Sequence, residues 1–321
     1  MEIIIMIGVI GENVVDLLPD SHGAFLPCLG GSPFNLAIGI ARQGIAVSYL
    51  SPLSSDRFGQ AFNHYLYEAG GQYGLPFFSD APSSLALVSL DEHKQPSYSL
   101  YRQGIADRTI TAEQQIAALS DPLRILHLGS LALEPEDAPR LRAVIQAAAE
   151  RHILLSLDIN VRLNAVSNAH TYRQFLQEVI AHSQLIKASD EDLALLYPQL
   201  TAEQALTAIR TLAPEALITM TEGEKGASLY WQQHQFSLPV VPATPFIDTV
   251  GAGDTFWANM LGGLLRHNLP DAAQISTPAL KQLMQQAMLA ASLNIRRQGC
   301  QPPTRAEVLQ ALPELETLPV A

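Results

Sequence analysis

The sequence is poor in cysteine, in charged residues and in long apolar runs, and each shortage excludes a class of protein. Its 321 residues include two cysteines, Cys28 and Cys300, which lie far apart and show no metal-ligand spacing. Isolated thiols of this kind predict no disulfide framework and fit the reducing cytoplasm. No apolar run reaches the length that spans a membrane, so we expect no membrane partner. The apolar start, residues 1–7, lacks basic residues and a small-residue cleavage site after it, and therefore predicts a first buried strand rather than a signal peptide.

Positive charge is scarce as well. Lysine and arginine total 19 against 31 aspartates and glutamates, which gives a formal net charge of −12. This balance argues against a nucleic-acid partner. It leaves a nucleotide substrate open, because magnesium, a lysine and backbone amides can meet the charge of one nucleotide locally. The pattern Gly-x-x-x-x-Gly-Lys-Ser/Thr is absent, which excludes the P-loop route to phosphoryl transfer.

The order of the predicted elements indicates the fold class. From residue 124 onward strands and helices alternate, which predicts an α/β fold with a parallel sheet and helices on both faces. Ligands of such sheets bind beyond the carboxyl ends of the strands. The chain has no repeat, no low-complexity segment and no long linker, so we expect one domain over residues 1–321. The expected strands are 3–10, 46–50, 85–90, 98–102, 125–128, 153–158, 185–187, 217–220, 228–231 and 235–241, and the expected helices include 136–151, 171–181 and one from Pro278 to about Arg297.

A run of small residues at 251–253 precedes Asp254 and an apolar pattern at helical spacing. This order predicts a tight loop that leads into a helix N-terminus, where free amide groups and the helix dipole favour an anion. Glycines let a phosphate approach the backbone closely. On the residues alone, Asp254 is either a cap of that helix or a base that accepts a proton from an attacking hydroxyl group.

A second helix start follows Gly30-Gly31. Ser32 and Pro33 predict a helix in which Ser32 is the cap and Pro33 is the first helical residue. Asn35, taken alone, is a surface amide of that helix. Further upstream, Asp16 falls on the polar side of an alternating strand pattern.

The segment Asp248-Thr249-Val250-Gly251-Ala252-Gly253-Asp254-Thr255-Phe256 fits the pattern Asp-Thr-x-Gly-Ala-Gly-Asp-x-Phe at every fixed position. It resembles the C-terminal signature of the ribokinase-like sugar kinases, the PfkB family, and similar blocks occur in the family's order from Gly11 to Gly299. The resemblance implies a ribokinase-like, doubly wound, mainly parallel sheet with helices on both faces and a small β-sheet lid from about residues 12–30 and 85–104. It also implies transfer of the γ-phosphoryl group of ATP to a hydroxyl group of a small sugar.

The resemblance assigns the roles of individual residues in the reaction. Asp254 is expected to be the catalytic base, and the amides of Gly251, Ala252 and Gly253 are expected to hold charge on the moving phosphoryl group. The residues expected to contact the sugar are Asp16, Gly31, Asn35, Arg102 and Arg162. For Arg102 an exposed strand cation is an equal alternative.

The resemblance also implies a nucleotide site and two ions. The expected nucleotide residues are Lys187, Ser189, Thr221, Gly223, Gly226, Asn294 and Gly299. The family motif Asn-x-x-Glu, whose acid organises magnesium (Mg2+), appears here with Ser189 and the shorter acid Asp192. Acids that only stabilise a helix N-terminus are the alternative for this segment. Asp248 and nearby carbonyl groups resemble a site for a monovalent cation, potassium (K+).

The sugar is indicated by Gly11-Glu12-x-x-x-Asp16, which is most similar to the fructokinase branch. We therefore expect fructose or a related ketose, with 2-keto-3-deoxygluconate and ribose or a nucleoside as alternatives. A sugar- or nucleotide-sensing protein without turnover is an alternative from another class, and the intact Gly-Ala-Gly-Asp argues against it. Family resemblance further implies a homodimer formed through the lids.

Overall fold

The computed structural model describes residues 5–20, 22–90, 96–268 and 275–316. The strands in these ranges are β1 (Met6–Val9), β2 (Val14–Pro19), β3 (Phe25–Gly30), β4 (Ala46–Tyr49), β5 (Gln72–Tyr73), β6 (Ser84–Leu90), β7 (Pro96–Tyr101), β8 (Leu123–Gly129), β9 (Leu154–Asp158), β10 (Leu185–Ser189), β11 (Leu217–Thr221), β12 (Ala227–Trp231) and β13 (His234–Leu238). The helices are α1 (Ser32–Arg42), α2 (Arg57–Glu68), α3 (Ala112–Ala117), α4 (Ala138–Glu150), α5 (Ala169–Ala181), α6 (Asp190–Leu196), α7 (Ala202–Leu212), α8 (Ala252–Arg266), α9 (Thr277–Ile295), α10 (Arg305–Ala311) and α11 (Pro313–Glu316).

The α/β prediction is confirmed, and so is the existence of each predicted strand and helix that falls in these ranges. The ends differ by a few residues, as expected where a periodic pattern fades into a turn. Two predicted pieces, the turn at residues 91–95 and the first residues of the strand at 3–10, lie outside the described residues.

The main sheet is mainly parallel. Within the described ranges it has nine strands in the order β13-β12-β11-β10-β9-β8-β1-β4-β5. The pairs β11–β12 and β12–β13 are antiparallel, and the other pairs are parallel. Strand order reverses on either side of β1, which pairs with β4 and β8. A crevice opens beyond the carboxyl ends of the strands at such a reversal, and ligands of open α/β sheets bind there.

Two cores lie on opposite faces of the main sheet because successive side chains of a strand point to opposite faces. Ile7 and Val9 of β1 pack into the core with α1, α2, α8 and α9. Met6 and Ile10 pack into the core with α4, α5, α6 and α7. The strands are apolar on both faces for this reason, which is typical of a sheet covered on both sides.

A second, small sheet has the strand order β3-β2-β6-β7. Its strands come from the two segments predicted as a lid, and β2 pairs antiparallel with β3 and parallel with β6. Val14 and Ala86 pack against Leu131 from the main part of the chain, so the small sheet is anchored by apolar contact on one face. At the edge strand β3, Phe25 and Leu26 are 46% and 57% exposed.

No helix in the described ranges combines the length and the apolar character that crossing a membrane requires.

Helices α1 and α8 lie side by side, and a glycine permits their close approach. A Cβ atom placed on Gly39 of α1 would lie 2.7 Å from Cβ of Ala258 in α8, which is closer than two carbon atoms can pack. In α8 itself, a Cβ on Gly262 would meet its nearest neighbour, Ile45, at an ordinary 3.4 Å. The contact at Gly39 therefore sets the distance between the two helices.

These two glycines provide a matched pair of stability variants. We expect Gly262→Ala to raise the free energy of unfolding by roughly 0.5–1 kcal/mol, because alanine is the better helix former. Gly39→Ala should instead lower it by about 1–2 kcal/mol, because overpacking outweighs the same gain. Urea unfolding of both variants measures the difference. Equal changes in both would show that the helices are not in close contact at Gly39.

Candidate active site

A cavity of about 850 Å³ lies between the small sheet and the carboxyl edge of the main sheet. Four parts of the chain form its wall: the small sheet, the first turn of α1, the ends of β9 and β10, and the loop before α8. The predicted site residues on this wall are Asp16, Gly31, Asn35, Arg162, Lys187, Ser189, Asp192, Gly251, Ala252, Gly253 and Asp254. Asn35 and Asp254, which are 219 positions apart in sequence, thus meet in one place.

The two helices that begin at the cavity have free N-termini. The N-cap residues of α1 and α8 are Gly31 and Gly251, and neither helix has a side-chain cap in the described structure. Among the other long helices, α2, α5, α7 and α9 are capped by side chains, for example α2 by Asp56 and α9 by Ser276, whereas α4 has no side-chain cap. The amide of Ala252 donates to the carbonyl oxygen of Thr249 at 3.1 Å. The other first-turn amide groups of α1 and α8 have no side-chain cap, and the helix dipoles favour an anion there.

Both N-caps must be glycine. Gly31 has a φ of 101°, and a Cβ there would lie 2.5 Å from the carbonyl oxygen of Glu12. Gly251 has a φ of 73°, and a Cβ would lie 2.1 Å from Sγ of Cys300. A side chain at either position is strained by the backbone and blocked by a neighbour.

The prediction that Ser32 caps α1 is wrong. Ser32 is the first residue of the helix, and its hydroxyl group donates a hydrogen bond of 2.7 Å to Oδ1 of Asp254. Asn35 donates through Nδ2 to Oδ2 of the same carboxylate at 2.9 Å. The first turn of α1 therefore holds both oxygens of Asp254.

Asp254 lies in the first turn of α8 and is 8% exposed. Burial raises the pKa of its carboxyl group, and the hydrogen bonds from Ser32 and Asn35 and the charges of Lys187 and Arg162 oppose that rise. The group has no side-chain capping bond to its own helix in the described structure. A buried carboxylate that faces a cavity and keeps free lone pairs can accept a proton from a bound hydroxyl group.

A buried ion pair lies directly below the glycine loop. Nζ of Lys187 donates to both carboxylate oxygens of Asp158, at 2.9 and 2.8 Å. A Cβ placed on Gly253 would lie 3.2 Å from the same Nζ atom. Burial alone would lower the pKa of Lys187, but the carboxylates of Asp158 and Asp192 raise it above its usual value. The ammonium group is therefore charged and next to the amides of the loop.

Asp16 projects from β2 into the cavity. Its carboxylate lies over the neighbouring strand, 2.6 Å from where a Cβ of Gly30 would stand. Burial raises the pKa of Asp16 to about 6. Asp16 and Asp254 thus face the same space from the small sheet and from α8.

The structure does not bring Arg102 to the cavity wall, and the exposed-cation alternative is wrong as well. Arg102 is 8% exposed. Its guanidinium group donates to Glu134 at 3.0 Å, to Asp107 at 3.0 Å and to Ser84 at 3.3 Å. A buried arginine needs such partners, because an unpaired buried charge is costly.

Ser189 and Asp192 form a reciprocal cap at the start of α6, as the capping alternative supposed. Oδ2 of Asp192 accepts hydrogen bonds from the amide and the hydroxyl group of Ser189, and Oδ1 accepts from the amide of Val161 at 2.7 Å. Among the described residues no group of three His, Cys, Asp or Glu side chains could hold a metal ion. Mg2+ is commonly held by one or two carboxylates together with water and substrate phosphates. The residues fit an ion carried mainly by phosphates and water, with Asp192 in an outer position.

The other nucleotide candidates lie beside the cavity rather than on its wall. Thr221 ends β11 next to Ser189 of β10, and its hydroxyl group donates to the carbonyl oxygen of Ala188 at 3.4 Å. Gly223 and Gly226 form the following turn, with φ values of 54° and 111°. A Cβ on Gly226 would lie 2.1 Å from the carbonyl oxygen of Leu238, so that glycine is required by the turn itself.

Asn294, Gly299 and Asp248 brace the loop before α8. The fully buried Asn294 donates to the carbonyl oxygen of Val250 at 2.8 Å and accepts from the amide of Gln301 at 2.8 Å. Asp248 accepts from the amides of Val250 and Gly299, both at 2.9 Å. The structure therefore buries Asn294 beneath the loop and does not expose it in an adenine pocket.

Glu12 and Ser32 are cavity residues that sequence reasoning did not assign to the site. Glu12 is 2% exposed, and Oε2 has no hydrogen-bond partner in the described part of the chain. Burial raises the pKa of Glu12 to about 7, although the charge of Arg102 opposes the shift. The Gly11-Glu12 pair was a signal for Glu12, but nothing in the local sequence pointed to the distant partner of Ser32.

Comparisons with known proteins give a consistent result. The model of the pfkB family of carbohydrate kinases matches residues 9–307. A fructokinase of Rhizobium leguminosarum bv. trifolii is 30% identical over 271 residues, which cover 83% of this chain and 82% of that protein. The crystal structure of a Xylella fastidiosa fructokinase with bound ATP superposes with a TM-score of 0.87 at 25% identity and covers 97% of this chain and 99% of that one. The structure of a Vibrio cholerae O395 fructokinase with fructose, ADP and calcium bound gives a TM-score of 0.81 at 25% identity, with 96% and 99% covered.

The burial of Glu12 predicts how stability depends on pH. Burial raises the pKa of Glu12 from an ordinary value of 4.5 to about 7, so the folded protein holds a proton that the unfolded chain loses, and raising the pH through this window costs stability. Glu12→Gln cannot ionise, and Arg102 keeps Asp107 and Glu134 as partners. Relative to wild type, we expect this variant to gain up to about 3 kcal/mol in the free energy of unfolding between pH 5 and pH 8.

Urea unfolding at both pH values measures this gain. The exposed Glu215 provides the control, because Glu215→Gln should leave the pH dependence of wild type unchanged. If the difference in free energy of unfolding between wild type and Glu12→Gln stayed constant with pH, it would contradict the claim that Glu12 is buried in its protonated form.

Proposed function

The chain belongs to the pfkB family of carbohydrate kinases, and we propose that it transfers the γ-phosphoryl group of ATP to a hydroxyl group of fructose or a related ketose. The single observation that carries this proposal is the position of Asp254. It lies at a free helix N-terminus, with Asp16 on the opposite wall of the same cavity. The fructokinase relatives support the choice of sugar.

The proposed chemistry requires one proton acceptor and stabilisation of charge. The sugar hydroxyl oxygen attacks the γ-phosphorus atom, the bond to the bridging oxygen breaks, ADP leaves, and Asp254 takes the hydroxyl proton. The amides of Gly251 and Gly253 face the charge that builds up on the phosphoryl oxygens, whereas the amide of Ala252 donates to the carbonyl oxygen of Thr249 and supports the loop. Lys187 adds positive charge directly below this loop. The two hydrogen bonds to Asp158 use two of the three N–H groups of Lys187. The third N–H has no acceptor among the described residues.

The sugar is placed between the small sheet and α8. Asp16 accepts hydrogen bonds from its hydroxyl groups, Asn35 contacts it from α1, and Arg162 reaches it from the loop after β9. Gly31 contributes the uncapped N-terminus of α1, where a side chain would collide with the carbonyl oxygen of Glu12. Arg102 supports this site indirectly, by neutralising the buried acids next to Glu12.

The nucleotide is placed along the ends of β10 and β11. Lys187 and Ser189 lie on the cavity wall, and Thr221, Gly223 and Gly226 form the adjoining edge. Asn294 and Gly299 act by bracing the loop rather than by contacting adenine. When bound, Mg2+ neutralises the phosphates, with Asp192 positioning its water. We further propose a K+ site at Asp248 and nearby carbonyl groups.

The small sheet, from about residues 12–30 and 85–104, acts in this proposal as a lid within one domain of residues 1–321. Its edge strand β3 leaves backbone groups and two large apolar side chains, Phe25 and Leu26, in solvent. Exposed edges of this kind pair readily with another strand. We propose that two copies form a homodimer through their lids, in the cytoplasm.

The experiment that tests the function is ADP release with ATP and a panel of sugars. Fructose should give the highest kcat/KM. Highest turnover with 2-keto-3-deoxygluconate, or with ribose or a nucleoside, would assign the chain to an alternative substrate. No ADP release with any sugar would favour the sensing protein.

Asp254→Asn should lower kcat roughly 10²–10⁴-fold, because the amide cannot accept the hydroxyl proton. The KM for ATP should change little. Glu203→Gln is the matched control, since Glu203 lies in the first turn of α7 and is exposed. Near wild-type turnover of Asp254→Asn would remove this residue from the mechanism.

Asp16→Ala should raise the KM for the sugar about 10- to 150-fold, which is the effect of losing one charged hydrogen bond of roughly 1.5–3 kcal/mol. The KM for ATP should stay nearly constant. Steady-state kinetics with each substrate varied in turn measures both constants. A change in the ATP constant alone would reverse the placement of the two substrates, and no change in either would make Asp16 a solvated strand residue.

A further inference from the structure

Ser32 uses its hydroxyl group in an unusual way for a residue in the first turn of a helix. Serine near a helix start usually bonds to the free amides of its own helix. In α1 no such bond exists in the described structure, and Oγ of Ser32 instead lies 2.7 Å from Oδ1 of Asp254. The only proton of the hydroxyl group is therefore directed at a residue 222 positions away in sequence.

Two hydrogen-bond donors from one helical turn each bind a different oxygen of the Asp254 carboxylate. Ser32 holds Oδ1 and Asn35 holds Oδ2, and both side chains lie on the cavity wall. Residues 33–41 of α1 are buried, and the close contact of Gly39 with Ala258 fixes α1 against α8. The donors and the acceptor are thus carried by two helices that cannot shift relative to each other without breaking the core.

We propose that Ser32 is a positioning residue for the phosphoryl transfer, and that its hydroxyl group holds the Asp254 carboxylate in the orientation that receives the proton of the sugar. The proposal rests on the proposed role of Asp254 as the base. Asn35 cannot replace Ser32, because it bonds to the other oxygen and leaves the carboxylate free to rotate about a single anchor.

Several other groups act on Asp254, and they are unchanged when Ser32 is replaced. Lys187 of β10 and Arg162 of the loop after β9 favour the ionised form. Asp158 of β9 and Cys300 after α9 also interact electrostatically with Asp254. Burial raises the pKa of Asp254, and the bond from Ser32 is the first of the interactions that lower it. A change in the titration of the base on loss of the hydroxyl group therefore reports this one bond.

The test is the pH profile of kcat/KM for the sugar in Ser32→Ala. The base must be ionised to accept a proton, so activity is present above its pKa and is lost as the pH falls through it. Removing a donor raises that pKa, and we expect the acidic limb to move to higher pH by about one unit. On the acidic side of the limb, activity should fall about tenfold, with less loss at higher pH and no change in the KM for ATP.

Ser32→Thr is the matched variant, because it keeps the hydroxyl group. The acidic limb of the kcat/KM profile of Ser32→Thr should lie within a few tenths of a pH unit of the limb of wild type. Circular dichroism and thermal unfolding of both variants show that α1 is still folded. A purely structural role would lower activity equally at every pH.

Three outcomes overturn the proposal: an unshifted limb in Ser32→Ala, an equal loss of activity at all pH values, or a limb in Ser32→Thr that moves as far as in Ser32→Ala. Asp254→Asn separates this failure from that of the proposed function. If Asp254→Asn keeps its turnover, the base is wrong and the role of Ser32 falls with it. If Asp254→Asn loses turnover while Ser32→Ala titrates like wild type, only the positioning role is wrong.

Discussion

The structure depends on holding one buried carboxylate where two helices begin. In the proposed reaction Asp254 needs low exposure to act as a base, and it needs hydrogen-bond donors so that burial does not neutralise it. The first turn of α1 supplies these donors, and the start of α8 supplies the carboxylate. Close packing of the two helices, glycine at both N-caps, and a loop braced from below by Asn294 are all requirements of this one arrangement.

The same region shows how an acidic protein accommodates a polyanionic substrate. The net charge of −12 does not attract a nucleotide, so the attraction must be local. It comes from two helix N-termini without side-chain caps and from Lys187, whose charge is retained because Asp158 lies beside it. Because the ion pair is already buried before the substrate binds, the ammonium group does not have to lose its water on binding.

Sequence patterns predicted what is local and missed what is distant. Alternating strands and helices predicted the α/β fold, and the glycines before Asp254 predicted the tight loop and the helix that begins after it, because both are encoded by neighbouring residues. Glu134, one partner of Arg102, lies 32 positions away, and the partner of Ser32 lies 222 positions away, and no periodic pattern in the sequence indicates either contact. Asn294 shows a third case: the family resemblance assigned it to the nucleotide site and the structure places it under the loop, because a side chain that supports a loop and one that contacts a ligand look alike in sequence.

The separation between Ser32 and Asp254 has a consequence for how the protein is made. A ribosome synthesises α1 early and α8 late, and α1 cannot bury its apolar face against α8 until more than two thirds of the chain exist. Contacts this far apart in sequence close large loops and form slowly. The nascent chain therefore carries an exposed apolar helix for most of its synthesis, and the base and its donors appear together in one of the last steps of folding. A truncated product that lacks α8 has neither a complete core nor a catalytic centre.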